Sequence, residues 1–431
     1  MKRPAAMKRD TVTLPRPPAA TRPPEPAPAP PPARRGVGTQ AMALATSTGI
    51  AQILVAVIYV VAARDSAPAQ YGLIVAAIAL GVVAAGFLDF GTNTLWVREL
   101  ATGRMSAEQF GARLLGKLLI AAVVCALWVL FCLVLGAPTA LWMAAPVTFC
   151  LMLNQSMQVA LRSARRAEVV ALSILTDRLV AVGMFFLFLA LGAISRDVLW
   201  AALSIGSLAA AAAGWLLTPA ELRARFGRPF RVNPYTGSGY FGVSGLAVSA
   251  QSLDLPLLGL VGGAPAAGIY GAVNRWTQPL GLLAAAFASA AAPFIARCGS
   301  IGSAARSLRA GLWLPVGAVG LCGVIFVIAP VFVPFVLGDA YAGSVGVLRI
   351  LCLVSAVSII SAPLLVGLQS LGRERYVGLA VAIVVIVQLA LVAVFGSAFG
   401  AIGIAWVSLS AQLFLLTLLL LGVTHEYRRT R

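Results

Sequence analysis

Apolar runs of about 20 residues recur from residue 39 almost to the end of the chain, with only short polar connections between them. At roughly 1.5 Å of rise per helical residue, each run is long enough to cross the hydrocarbon core of a bilayer. The runs are continuous rather than alternating with period two, which excludes a membrane β-barrel. In hydrocarbon every backbone N–H and C=O needs a partner within the protein, and a helix supplies it. Composition closes the soluble alternative. Hydrophobic residues make up 60% of the chain and charged residues 11%, less than half of the roughly 25% charge of soluble domains. The fold class is all-α integral membrane. The runs fall near 39–63, 69–100, 114–136, 139–162, 168–193, 197–219, 238–261, 265–296, 308–336, 345–370, 376–396 and 399–422, which predicts about 12 transmembrane helices.

A net charge of +18 would suggest nucleic acid in a soluble protein. Here the basic residues are scattered among loops, so no nucleic-acid partner is implied. The positive-inside effect explains them instead. One set of loops carries Arg98, Arg104, Arg113 and Lys117, then Arg162, Arg165 and Arg166, then Arg223, Arg225, Arg228 and Arg231. It continues with Arg297, Arg306 and Arg309, then Arg373 and Arg375. The intervening loops hold little beyond Arg64, Arg196 and Arg349. This alternation predicts an even number of spans in the cell inner (plasma) membrane, with both termini cytoplasmic. Residues 1–37 hold 11 prolines and eight basic residues with no apolar segment behind the early charges. They read as a disordered cytoplasmic tail rather than a signal peptide. Residues 423–431 read as a basic cytoplasmic tail. The six cysteines form no CxxC or Cys/His cluster, so neither a metal site nor a disulfide framework is indicated.

The chain also repeats itself. Tyr71-Gly72 follows a loop ending Ala67-Pro68-Ala69, and Tyr270-Gly271 follows Ala264-Pro265-Ala266; in each case an arginine stands 27 positions after the tyrosine, Arg98 and Arg297. Two halves of the same orientation are implied, one six-helix lobe over 38–230 and another over 231–422. Parallel repeats about an axis along the membrane normal are a transporter arrangement, with substrate held between them.

Ala63-Arg64, Tyr71-Gly72, Leu88-Asp89-Phe90-Gly91 and Val97-Arg98-Glu99-Leu100-Ala101 together resemble the start of the polysaccharide-biosynthesis flippases. Asp254-Leu255-Pro256, Gly268-Ile269-Tyr270, Leu337-Gly338-Asp339-Ala340-Tyr341 and Val347-Leu348-Arg349-Ile350-Leu351 resemble the second half of that pattern. The resemblance runs from residue 39 to about 422. Its superfamily also holds multidrug/oligosaccharidyl-lipid exporters and the lipid II flippases, whose two extra helices are absent here. The resemblance implies a V-shaped bundle of two lobes, alternating access, and an undecaprenyl-pyrophosphate-linked oligosaccharide moved to the outer face for surface polysaccharide synthesis. Membrane lipid and the lipid-linked glycan are the implied partners, with a polysaccharide polymerase and glycosyltransferases as further candidates.

Charges deep in a bilayer cost several kcal/mol and usually face a wet cavity. The candidates are Asp89, Asp177, Arg178, Asp254 and Arg275. Asp254 and Arg275 lie about ten residues on either side of the turn at Ala264-Pro265, so they share a depth of roughly 15 Å and are expected to meet. Either they lock the hairpin as an ion pair, or Arg275 offers its planar fork to a phosphate that Asp254 helps to hold or release. Pro256 permits bending there. Asn154, Gln155 and Gln158 match Asp177 and Arg178 in depth across another turn. Asp177 and Arg178 are adjacent, about 100° apart, and so pair poorly with each other; Asn154, Gln155 or a substrate phosphate would serve as partner. Asp89, flanked by Gly86 and Gly91, reads either as a lone membrane carboxylate suited to ion coupling or as a charge near the cytoplasmic surface. Thr48, Gln52 and Tyr59 share one face of the first helix, which suits either a cavity wall or ordinary packing. Arg178 and Arg275 are the candidate pyrophosphate ligands. Asp89, Asp177, Asp254, Asn154, Gln155 and Gln52 are the polar and ion-coupling candidates.

No cofactor is implied, and coupling to H+ or Na+ stays open between the two. A multidrug or cation exporter of the same superfamily is the alternative reading. An integral membrane glycosyltransferase is weaker: external loops are about four to eight residues long, the one histidine, His425, lies in the tail, and no general acid–base constellation sits in the membrane. GxxxxGK[ST] and HExxH are absent from the sequence.

Overall fold

A computed structural model describes residues 37–137, 140–164, 166–225, 233–277, 313–370 and 373–429. Among these the chain is helical with no strand. In order, the helices are α1 (Val37–Arg64), α2 (Pro68–Asp89), α3 (Thr92–Ala101), α4 (Ala107–Val134), α5 (Ala144–Ser163), α6 (Ala167–Ala190) and α7 (Ser195–Leu217). They continue with α8 (Gly239–Gln251), α9 (Asp254–Val261), α10 (263–277), α11 (Trp313–Leu337), α12 (Ser344–Ser370) and α13 (Glu374–Arg429). Eight helices among the described residues are long and apolar enough to cross a membrane. The tail to residue 36 and the loop residues Arg165, Arg228, Arg231, Arg297, Arg306 and Arg309 lie outside the described residues.

Two expected spans are interrupted. The run at 69–100 divides into α2 and α3, because Phe90 (φ 45°) and Gly91 (φ 69°) both turn left-handed. Asp89 follows as the reason: its Oδ1 accepts from the backbone N–H of Asn93 (3.2 Å) and the hydroxyl of Thr92 (2.9 Å), which caps the new helix. The run at 238–261 divides at Ser252–Leu253 into α8 and α9. Pro256 therefore lies in the first turn of α9, where a missing N–H costs no helical bond, rather than bending a continuous helix. The run at 265–296 is described only as far as residue 277.

The last helix does the reverse, joining two expected spans. Gly400 (φ 56°, ψ −139°) breaks it in a conformation that favours glycine. The Tyr376 hydroxyl donates to the carbonyl of Leu418 at 2.6 Å, and Val377 and Val384 pack with Ala411, Leu415 and Leu419. The chain thus folds back at Gly400 into an antiparallel hairpin.

Burial follows from the solvent. The first half of α4 is buried through Phe110, Leu114 and Ala121, while Leu127, Leu133 and Val134 of its second half are more than half exposed. Side chains of that kind are stable on the outside only where the surroundings are hydrocarbon. In contrast, α5 is largely buried and carries Asn154, Gln155, Gln158 and Arg162, packed against α2, α4 and α7. The most polar of the long helices in the first half stands inside its apolar neighbours.

Where α2 and α10 cross, glycine sets the distance. A β-carbon on Gly268 would fall on the carbonyl oxygen of Pro68, and one on Gly72 would fall on that of Ala264. Gly268→Ala is expected to lower stability by about 1–3 kcal/mol, the usual cost of overpacking. Gly317→Ala on α11, where nothing lies within 4 Å of the added carbon, should change little. Thermal unfolding in detergent checks the pair; equal midpoints would show that the crossing tolerates a methyl group.

Candidate functional site

Inside the bundle lies a cavity of about 230 Å³ whose walls come from α1, α2, α5, α6, α7 and α10. It is lined by Gln52, Tyr59, Gln155, Arg178, Ser204, Ser207 and Arg275 among others. Both arginines singled out from the sequence therefore reach one chamber, although they are contributed by α6 and α10. The expected wall residues Gln52 and Tyr59 stand there too.

Arg275 is held by α1. Its Nη2 donates to the Tyr59 hydroxyl at 3.0 Å, and its guanidinium carbon lies 4.6 Å from the Tyr59 ring centroid, a cation–π contact. The expected pairing with Asp254 does not form. Asp254 instead accepts from the Tyr270 hydroxyl at 2.8 Å and from the backbone N–H of Leu255 at 2.7 Å. The carboxylate is satisfied as a helix-terminal acceptor, which leaves the guanidinium free to face the cavity.

Asp177 behaves as its spacing predicts. Asn154 donates to its Oδ2 at 3.2 Å and Ser207 to its Oδ1 at 3.4 Å, whereas Arg178 approaches only to 3.8 Å. The chain of contacts continues along α5. Gln158 donates to Asn154 at 3.1 Å, and Arg162 donates to Gln158 at 2.9 Å. Asp177 is thereby fixed by α5 and α7, and Arg178, beside it in sequence, projects into the chamber.

A second cavity of about 480 Å³ adjoins the first, with Val82 and Gln155 lining both. Asp89 lines it, with Thr94, Ser249, Ser252 and Phe241. Asp89 is not the lone carboxylate that its position in a long apolar run suggests. Lys117 donates to its Oδ1 at 2.6 Å, to Asn93 at 3.1 Å and to Ser156 at 3.1 Å, and stands 4.9 Å from the Trp96 ring. Lys117 is fully buried, so this ion pair joins α2, α3, α4 and α5 in one polar knot.

Lys117 was readable as a loop charge only if α4 starts near residue 114. The helix starts at Ala107, because Ser106 and Gln109 form a reciprocal capping box with bonds of 3.2 and 3.1 Å. The pattern Ser-x-x-Gln is the signal that places Lys117 ten residues into the helix rather than before it. Nearby, the Tyr235 hydroxyl donates to the carbonyl of Leu88 at 2.9 Å. Burial, then the Asp89 carboxylate, raises the Tyr235 pKa above its ordinary value, so the phenol remains a donor to that helix end at neutral pH.

Comparison with known proteins follows from this geometry. The sequence pattern described as polysaccharide biosynthesis protein matches residues 37–298. No curated protein matches the sequence. Among solved structures, lipid II flippase MurJ in an inward closed conformation aligns with a TM-score of 0.72 at 14% identity, over 89% of this chain and 87% of that one. A multidrug resistance MATE family transporter of the MOP superfamily, in an inward-facing conformation, aligns with a TM-score of 0.64 at 14% identity, over 91% and 97%. A eukaryotic MATE transporter aligns with a TM-score of 0.52 at 14% identity, over 92% and 97%. These likenesses establish that the chain shares the fold of these structures.

Proposed function

Since the chain belongs to the polysaccharide biosynthesis protein family, we propose that it is a flippase for a lipid-linked oligosaccharide, with Arg178 and Arg275 as the ligands of its pyrophosphate. The convergence of these two arginines on one internal cavity carries the reading. Two guanidinium groups with few competing acids offer paired, charge-assisted hydrogen bonds to a diphosphate. The cargo is an undecaprenyl-pyrophosphate-linked glycan. Its headgroup enters from the cytoplasm, the polyprenyl chain stays in lipid, and rocking of two six-helix lobes, 38–230 and 231–422, reopens the cavity outward. On this reading the protein crosses the inner membrane 12 times with both termini cytoplasmic, and it performs no covalent chemistry.

Coupling to H+ or Na+ falls to Asp177 or Asp254. Asp89 is the weaker candidate, because Lys117 already supplies its counter-charge. A multidrug or cation exporter of the same fold is the competing reading. Deletion of the gene separates them. A flippase leaves its lipid-linked saccharide accumulated on the cytoplasmic leaflet with unchanged drug sensitivity; an exporter leaves no such lipid and sensitises the cell.

A further inference from the structure

Resting on the assignment of the arginine chamber to the pyrophosphate, we infer that the adjoining cavity of about 480 Å³ is the saccharide subsite and that it selects a neutral sugar over an acidic one. Its size falls within the roughly 300–1,000 Å³ of small-molecule binding pockets. The two chambers share Val82 and Gln155, so a sugar bonded directly to the diphosphate has a continuous path from one to the other.

The lining chemistry is that of hydroxyl recognition. Thr94, Ser249 and Ser252 each offer a hydroxyl that donates and accepts, Gln155 offers an amide, and Phe241 offers an apolar ring surface. Gly91 and Gly245 also line the cavity, and the lack of a side chain on each lets α8 pack closely against the turn before α3. Asp89 supplies the discrimination. The three donors that reach it, Thr92, Asn93 and Lys117, all converge on Oδ1. Its second oxygen can therefore accept from a sugar hydroxyl in the cavity that it lines.

A sugar carboxylate would meet that oxygen lone pair to lone pair. Among the described residues the one cation in contact with Asp89 is Lys117, and it cannot answer a sugar carboxylate, because an ammonium has three N–H groups. Those of Lys117 are directed at Asp89, Asn93 and Ser156. Hydroxyl groups are accommodated there and anions are not.

Binding of three probes to the purified full-length protein tests this: undecaprenyl pyrophosphate without sugar, the same carrier bearing a neutral hexose, and one bearing a uronic acid. The neutral glycolipid should bind at least tenfold more tightly than either of the others. Thr94→Phe and Ser252→Phe fill the cavity at positions exposed to it. Each should bring the neutral glycolipid down to the affinity of the sugar-free carrier, which itself stays within twofold. Equal binding of all three probes by the wild-type protein, preference for the uronic acid, or indifference of the neutral glycolipid to both fillings would overturn the assignment. Arg178→Ala and Arg275→Ala report on the underlying reading separately. If they leave the sugar-free carrier binding as before, the pyrophosphate site is wrong, whatever the fillings do.

Discussion

Arg178→Ala and Arg275→Ala are each expected to reduce export of the proposed lipid-linked glycan by tenfold to a hundredfold, with the protein present in the membrane at its normal level. Hydrogen bonds to a charged group are worth about 1.5–3 kcal/mol each, which converts to that range of lost affinity. Neither arginine is needed to satisfy a buried acid. Arg178 comes only within 3.8 Å of an Asp177 already bonded to Asn154 and Ser207, and Arg275 donates to a tyrosine. Truncation should therefore remove the proposed ligand contacts and leave no orphaned carboxylate behind. Lysine at either position keeps the charge and loses the planar fork, so partial recovery is expected. The check is surface glycan measured against membrane-protein abundance; normal export by both alanine variants would contradict the cationic chamber.

Lys117→Met should produce the largest loss of stability, about 3–5 kcal/mol, the cost of leaving a partly buried carboxylate without its counter-ion. Asp89 would then lose its shortest contact, 2.6 Å, while Asn93 and Ser156 lose a shared donor. Replacing both partners removes the stranded charge. Lys117→Met with Asp89→Asn should recover most of the loss, because an amide oxygen can still accept from Thr92 and the Asn93 N–H. A double-mutant cycle from unfolding in detergent measures the coupling. Additive losses would mean that the pair contributes nothing as a pair.

Much of this architecture was legible because hydrocarbon admits so few solutions. Runs of apolar residues located the helices, while the shared face of Thr48, Gln52 and Tyr59 left cavity wall and ordinary packing open; Gln52 and Tyr59 line the cavity and Thr48 is not among its lining residues. Residue counting found Asn154 beside Asp177 because α5 and α6 are continuous on both sides of their turn. The same counting failed for Asp254 and Arg275. It gives depth along a helix but not the direction a side chain faces. Five residues separate Tyr270 from Arg275, a rotation of roughly 140° on α10, so when Tyr270 faces Asp254 the arginine is turned toward α1. The break before α9 also resets the rotational phase of Asp254. The Asp89–Lys117 pair was hidden for a different reason. Its two members look like a lone acid and a loop base until the left-handed turn at Phe90–Gly91 and the capping box at Ser106 move both helix ends.

For this chain to act as a flippase, water and a diphosphate must reach Arg178 and Arg275 inside an otherwise apolar bundle. Cysteine at Gln155, which lines both chambers, measures this in a chain freed of its native cysteines, with Leu127→Cys on the lipid-facing part of α4 as reference. A membrane-impermeant thiol reagent should modify the cysteine at 155 and not that at 127, and undecaprenyl pyrophosphate should protect it. A cysteine at 155 as inert as the one at 127, or one that the carrier fails to protect, would contradict the account.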